Sequence, residues 1–70
     1  MEQTIFIQVN GESRETLAGT TVAALLAQLG LNSGRLAIEH NLRILPKDKW
    51  KETRVSEGDR FEIVHFVGGG

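Results

Sequence analysis

Apolar residues alternate with polar ones from Thr4 to Val9, so that Ile5, Ile7 and Val9 share one side of an extended chain and Phe6 takes the other. Asn10-Gly11 follows at once. That dipeptide suits the two positive-φ positions of a type I′ turn, so Glu12 to Leu17 is expected to return as an antiparallel strand, polar enough for a sheet edge. Beyond Gly19-Thr20-Thr21 the period changes: Val22, Leu25, Leu26 and Leu29 recur at i, i+3, i+4 and i+7. This predicts a helix of about ten residues, capped by Thr20 or Thr21 and stopped by Gly30 in a left-handed conformation, with Leu31 folding back on the last turn.

Period two then returns. Leu36 to His40 reads as a third strand with Leu36 and Ile38 on one side, Arg43 to Leu45 as a short fourth that Pro46 closes, and Lys47 to Thr53 as a polar loop around Trp50. Gly58-Asp59 is a turn before the strongest strand signal, Arg60 to Val67, with Phe61 and Ile63 on one face and Val64 and Phe66 on the other. Apolar residues on both faces suit a central strand. A helical stripe and a sheet face can bury each other, which predicts an α+β domain of ββαβββ order over residues 1–67. Gly68-Gly69-Gly70 has no side chain to pack and is expected to project as a flexible tail.

Composition narrows the chemistry. Seventy residues suffice for one compact domain with a small core, so a deep enclosed active site is not expected. The sequence has no cysteine, which removes the thiol nucleophile and the common zinc patterns; sulfur chemistry would need another group to carry the sulfur. His40 and His65 alone are too poor a ligand set for a metal, and each reads as a strand residue that packs or faces solvent, not as a catalyst. Net charge is −1, from eight Lys and Arg against nine Asp and Glu, and no basic stripe favours nucleic acid. Lys47, Lys49, Lys51, Arg43 and Arg54 surround Trp50, but Asp48 and Glu52 are interleaved and the group reads as a solvated face. No run approaches the roughly 18 apolar residues of a membrane helix, and Met1 to Thr4 holds an acid and no basic segment, so a cytoplasmic protein without membrane contact is expected.

Asn41, Ile44 to Pro46, Trp50, Thr53, Glu57-Gly58-Asp59 and above all the string Glu62-Ile63-Val64-His65-Phe66-Val67-Gly68-Gly69-Gly70 resemble the ThiS family of thiamine-biosynthesis sulfur carriers. The resemblance runs the whole length, although the N-terminal half matches only as a pattern. It implies a ubiquitin-like β-grasp fold: a mixed sheet of four or five strands packed on one helix. The family's minimum is a terminal Gly-Gly; Gly69 and Gly70 match it and Gly68 makes a third. The resemblance also implies a carrier that is a substrate of other enzymes. A ThiF-like adenylating enzyme would use ATP to activate the Gly70 carboxylate, a sulfur donor system would convert it to a thiocarboxylate, and a ThiG-like thiazole synthase would take the sulfur. No cofactor would be bound by the carrier itself. A terminal carboxyl, with an ordinary pKa of about 3.3 to 3.7, is anionic at neutral pH and ready to attack an activated phosphate.

Alternation along the last strand sets Val64 and Phe66 opposite Phe61 and Ile63, and Phe6 is outward in the first strand by the same rule. First and last strands are neighbours in a β-grasp sheet, so Phe6, Val64 and Phe66 are expected to form an exposed apolar patch for both partner enzymes, unless the Trp50 loop covers them. Glu62 is a candidate partner for a cation near the tail, and the free chain is expected to be a monomer. Two other readings keep the fold. The small subunit of molybdopterin synthase also ends in Gly-Gly, but Glu62 to Gly70 argues against it; a non-catalytic β-grasp binding module would tolerate a tag after Gly70.

Overall fold

The computed structural model describes residues 3–31 and 35–66. Strand β1 (Thr4–Val9) turns through Asn10 and Gly11, at φ 51° and 83°, into β2 (Glu12–Leu17). These two positive values are what a type I′ turn requires, and the pairing is antiparallel from Thr4↔Leu17 to Val9↔Glu12.

Helix α1 (Val22–Gln28) has seven residues between its caps, shorter than the ten expected, because Thr21 and Leu29 serve as caps. All four of its leading N–H groups have acceptors. Val22 donates to the Thr53 carbonyl, Ala23 to the Trp50 carbonyl, Ala24 to the Thr21 hydroxyl oxygen and Leu25 to the Thr21 carbonyl. At the other end Gly30, at φ 75°, donates to Ala27, and Leu31 donates to Leu26 at 2.8 Å, the paired bonds of a Schellman stop. The loop of residues 45–53, through the Trp50 and Thr53 carbonyls, therefore completes the start of the helix. Within it a single 3-10 turn (Lys47–Lys49) precedes Trp50, whose Nε1 donates to the Leu45 carbonyl while the ring packs on the core.

Strand β3 (Arg35–His40) begins one residue before the expected start, and β4 (Arg43–Ile44) ends one before, since Leu45 turns inward and its N–H reaches the Ile38 carbonyl. Strand β5 (Arg60–Phe66) is central, in the order β2-β1-β5-β3-β4, parallel to β1 and antiparallel to β3. The result is the expected mixed sheet with one helix on one face. Val22, Leu25 and Leu26 of the helix meet Ile5, Ile7 and Val9 of β1, Ile38 of β3, Val55, and Phe61 and Ile63 of β5 in one core. Burying a side chain of this kind contributes about 1.5–3 kcal/mol. The expected residue 67 end of the last strand, and the tail 68–70, lie outside the described residues.

Candidate functional site: the last strand and its open face

The start of β5 is pinned by polar side chains. Asp59, buried beside it, accepts from the Ser56 N–H at 2.8 Å and the Asn41 side-chain amide at 3.2 Å. Asn41 in turn accepts from the Arg60 N–H at 2.9 Å. His40 stacks flat on Phe61, ring centroids 4.7 Å apart, with Nε2 3.0 Å from the Asp59 carboxylate but out of line for a hydrogen bond. Burial pushes the Asp59 pKa up, yet the Ser56 N–H, the Asn41 amide and His40 together outweigh it and hold the group below its ordinary value. His40 is thus a packing and pairing residue of the strand's root, in keeping with its structural reading.

A second clamp lies further along. Chain β1 turns away after Val9, and β1 and β5 pair only at Gln8↔Arg60 and Val9↔Phe61. The Asn10 side chain then stands in for the missing strand. Its Oδ1 accepts from the Ile63 N–H at 2.7 Å and its Nδ2 donates to the Ile63 carbonyl at 3.2 Å. Beyond Ile63, among the described residues, the strand is paired through β3 alone, in the register Ala37↔Val64, Leu36↔His65 and Arg35↔Phe66. By sequence alone Asn10 is a turn former; its second role depends on the parallel register, which local sequence does not reveal.

Phe6, Val64 and Phe66 are all about half exposed, at 49%, 54% and 57%, while Phe61 and Ile63 are buried. The Trp50 loop packs at the helix end and leaves them open. They do not form one patch, however. Phe6 accepts through its carbonyl from the Gly58 N–H, so it stands level with the turn before β5, and Val64 is six residues further on, about 20 Å at the rise of a strand. First and last strands are neighbours as expected, but their short parallel overlap sets Phe6 and Val64 at opposite ends of the same face. Phe6 is flanked instead by Glu15, its cross-strand partner, and Glu57, which accepts from its N–H at 3.1 Å.

The neighbours of Val64 are Ala37 and Ile44, which line a shallow depression of about 90 Å³ with Ile38, Glu39 and Glu62. Ile44 is 69% exposed and lies across from Glu39. It belongs to the open face by its pairing in the β3–β4 hairpin, a signal that a two-residue strand is too short to give by periodicity. Glu62 sits directly opposite Glu39. His65 is exposed near the end of the strand. Gly68, Gly69 and Gly70 lie outside the described residues, and among those that are described no group of three or more His, Cys, Asp or Glu is placed to hold a metal. Likewise, no described helix is long and apolar enough to cross a membrane.

A model of the ThiS family matches residues 7–70. The chain belongs to the ThiS family. It is 37% identical over 65 residues to the sulfur carrier protein ThiS of Bacillus subtilis, covering 91% of this chain and 98% of that one. The fold matches the crystal structure of the thiamine biosynthesis protein ThiS from Geobacter metallireducens with a TM-score of 0.81, at 28% identity, over 94% of this chain and all of that chain. The β-grasp architecture is therefore shared with a ThiS protein. The chain is also 48% identical over 62 residues, 89% of its length, to a thiazole synthase of Paramagnetospirillum magneticum, but spans only 19% of that protein. It spans about a fifth of the length of that relative and of a second thiazole synthase, from Magnetococcus marinus.

Proposed function

We propose that this ThiS-family chain is a sulfur carrier for the thiazole moiety of thiamine, itself a substrate and not an enzyme, with the sulfur borne on Gly70. The observation that carries this reading is the family match through residue 70, joined to a central strand whose root is clamped and whose last residues lead into the glycines. Activation begins with a Gly70 carboxylate oxygen attacking the α-phosphorus of ATP on a ThiF-like adenylating enzyme, giving the acyl-adenylate and pyrophosphate. A sulfide-level nucleophile (HS⁻) from the donor system then attacks the acyl carbon, the bond from that carbon to the AMP oxygen breaks and AMP leaves, and loss of the S–H proton leaves a thiocarboxylate in which one carboxylate oxygen has been exchanged for sulfur. Glycines suit this task because a backbone without Cβ atoms can enter a narrow cleft and take the dihedrals imposed there. Three residues reach roughly 10 Å beyond the strand.

The thiazole synthase is the natural acceptor. Two proteins of that name contain a segment similar to this chain, which supports a working pair and favours thiamine over the molybdopterin route. Val64 and Phe66, with Glu62 beside them, offer the enzymes a surface at the tail's root; Phe6 offers a separate one. The ATP belongs to the adenylating enzyme, the free carrier is a monomer, and the cytoplasm is its place of work.

Intact-protein mass spectrometry tests the reading, after incubation with ATP, the adenylating enzyme and a sulfur donor. The expected product is the chain with one oxygen replaced by sulfur at Gly70, absent when Gly70 is deleted. An unchanged mass beside an enzyme proven active on its own carrier would leave a β-grasp binding module.

A further inference from the structure

The open face of the sheet has one feature that costs the free protein stability. Glu39 and Glu62 stand directly opposite one another on neighbouring antiparallel strands, an arrangement in which like charges repel. Neither takes part in an ion pair among the described residues. The basic residues of that face, Arg60 and Arg35, stand one row below the pair and two rows above it by register. Immediately beside the two carboxylates lies the depression floored by Ala37, Ile44 and Val64, with no other charged side chain in its lining.

We infer that this depression and its two carboxylates form the seat for an arginine or lysine side chain of the enzyme that activates Gly70, and that Phe6 lies outside this seat. Long basic side chains have an apolar stem and a charged head, and the site offers both halves of the match: apolar floor for the stem, paired carboxylates for the head. A guanidinium or ammonium between Glu39 and Glu62 removes a repulsion as well as forming charge-assisted bonds. Position supports this occupant over others. Val64 lies in the depression and six residues before Gly70, so a protein anchored here has the tail within about 20 Å of extended chain. Phe66 continues the apolar surface along the same strand in the tail's direction, at 57% exposure.

The inference rests on the carrier reading, and one experiment separates the two. ATP–pyrophosphate exchange by the adenylating enzyme is followed against concentration of the full-length carrier, at low and high salt, for the unaltered chain, Glu39→Gln/Glu62→Gln and Glu39→Lys/Glu62→Lys. The neutral pair is expected to raise KM about tenfold at low salt with kcat kept, and to flatten its salt dependence. The reversed pair should raise it further, and the thermal midpoint of the neutral pair should not fall. Equal KM and equal salt dependence in all three chains would overturn the seat while leaving the carrier reading intact. A rise in KM with unchanged salt dependence would also overturn it. No exchange even with the unaltered chain would remove the carrier reading, and the seat's proposed occupant with it.

Discussion

The two ends of β5 carry similar apolar side chains and are held in opposite ways. At the start, Phe61 is 1% exposed and stacked by His40, while Asp59, Asn41 and the paired β1 fix the backbone on both sides. At the far end Phe66 and Val64 are more than half exposed and, among the described residues, only β3 pairs with the strand. One end uses its hydrophobic groups in the core; the other leaves them open on the sheet face. A seven-residue strand can do both because side chains alternate and because β1 turns away after two paired residues. One short strand can thus be fixed by polar clamps at its root and stay open at its far end.

The largest effect lies beyond the far end. Deleting Gly70 is expected to abolish thiocarboxylate formation completely, by intact-mass measurement, with an unchanged thermal midpoint. Next come the two phenylalanines. Phe61→Ala should cost about 3–5 kcal/mol in denaturant unfolding, whereas Phe66→Ala, at a half-exposed position, should stay within about 0.5 kcal/mol. Phe66→Asp should weaken the complexes with both enzymes in a direct binding measurement. If it leaves both intact, the far end is not a docking surface and the contrast between the two ends loses its functional half.

Much of this contrast is written in the sequence. Alternation alone divides Phe61 and Ile63 from Val64 and Phe66, and Asn10-Gly11, the pair Thr20-Thr21 and Gly30 mark the turn and both helix ends, since each acts through its own backbone neighbourhood; which of the two threonines caps, Thr21, is seen only in the structure. Phe6 and Val64 share a side but not a level: alternation reports only the side, and the level is fixed by the register of strands about fifty residues apart in sequence. The Glu39–Glu62 opposition and the Asn10 clamp on Ile63 were invisible for the same reason. The family resemblance adds what geometry does not, an expected role for three glycines with no side chains.

The acid side of the root gives a smaller effect with a definite sign. Asp59 has its folded pKa held below the ordinary carboxylate value, so its contribution is fully present above the unfolded value and is lost as pH falls through the folded one. Asp59→Asn should cost about 1–3 kcal/mol at neutral pH, with donors from Ser56 and Asn41 less well satisfied. The gap between the two proteins should narrow as pH falls below the ordinary, unfolded carboxylate value of about 3.9 and on through the lower folded one. Unfolding curves collected from pH 7 down to pH 2 check this; a gap that stays constant would show that the carboxylate's charge is not what pins the root.

The smallest effect tests the boundary between the two ends. Asn10 sits at φ 51° in the turn, where glycine is equally at home, so Asn10→Gly keeps the hairpin while removing both bonds to Ile63. The expected loss is about 1 kcal/mol, since water can reach the freed groups at a partly buried site. Hydrogen exchange should locate it: faster at the Ile63 amide, little changed in β1 and β2, whose pairing the substitution does not touch. Thiocarboxylation should respond through KM more than kcat, because a looser root makes the tail costlier to order in the enzyme's cleft while the activated carboxyl is chemically the same. An Ile63 amide that exchanges as slowly in Asn10→Gly as in the unaltered chain would mean that β3 alone holds the strand, and that the clamped part of β5 ends at Phe61.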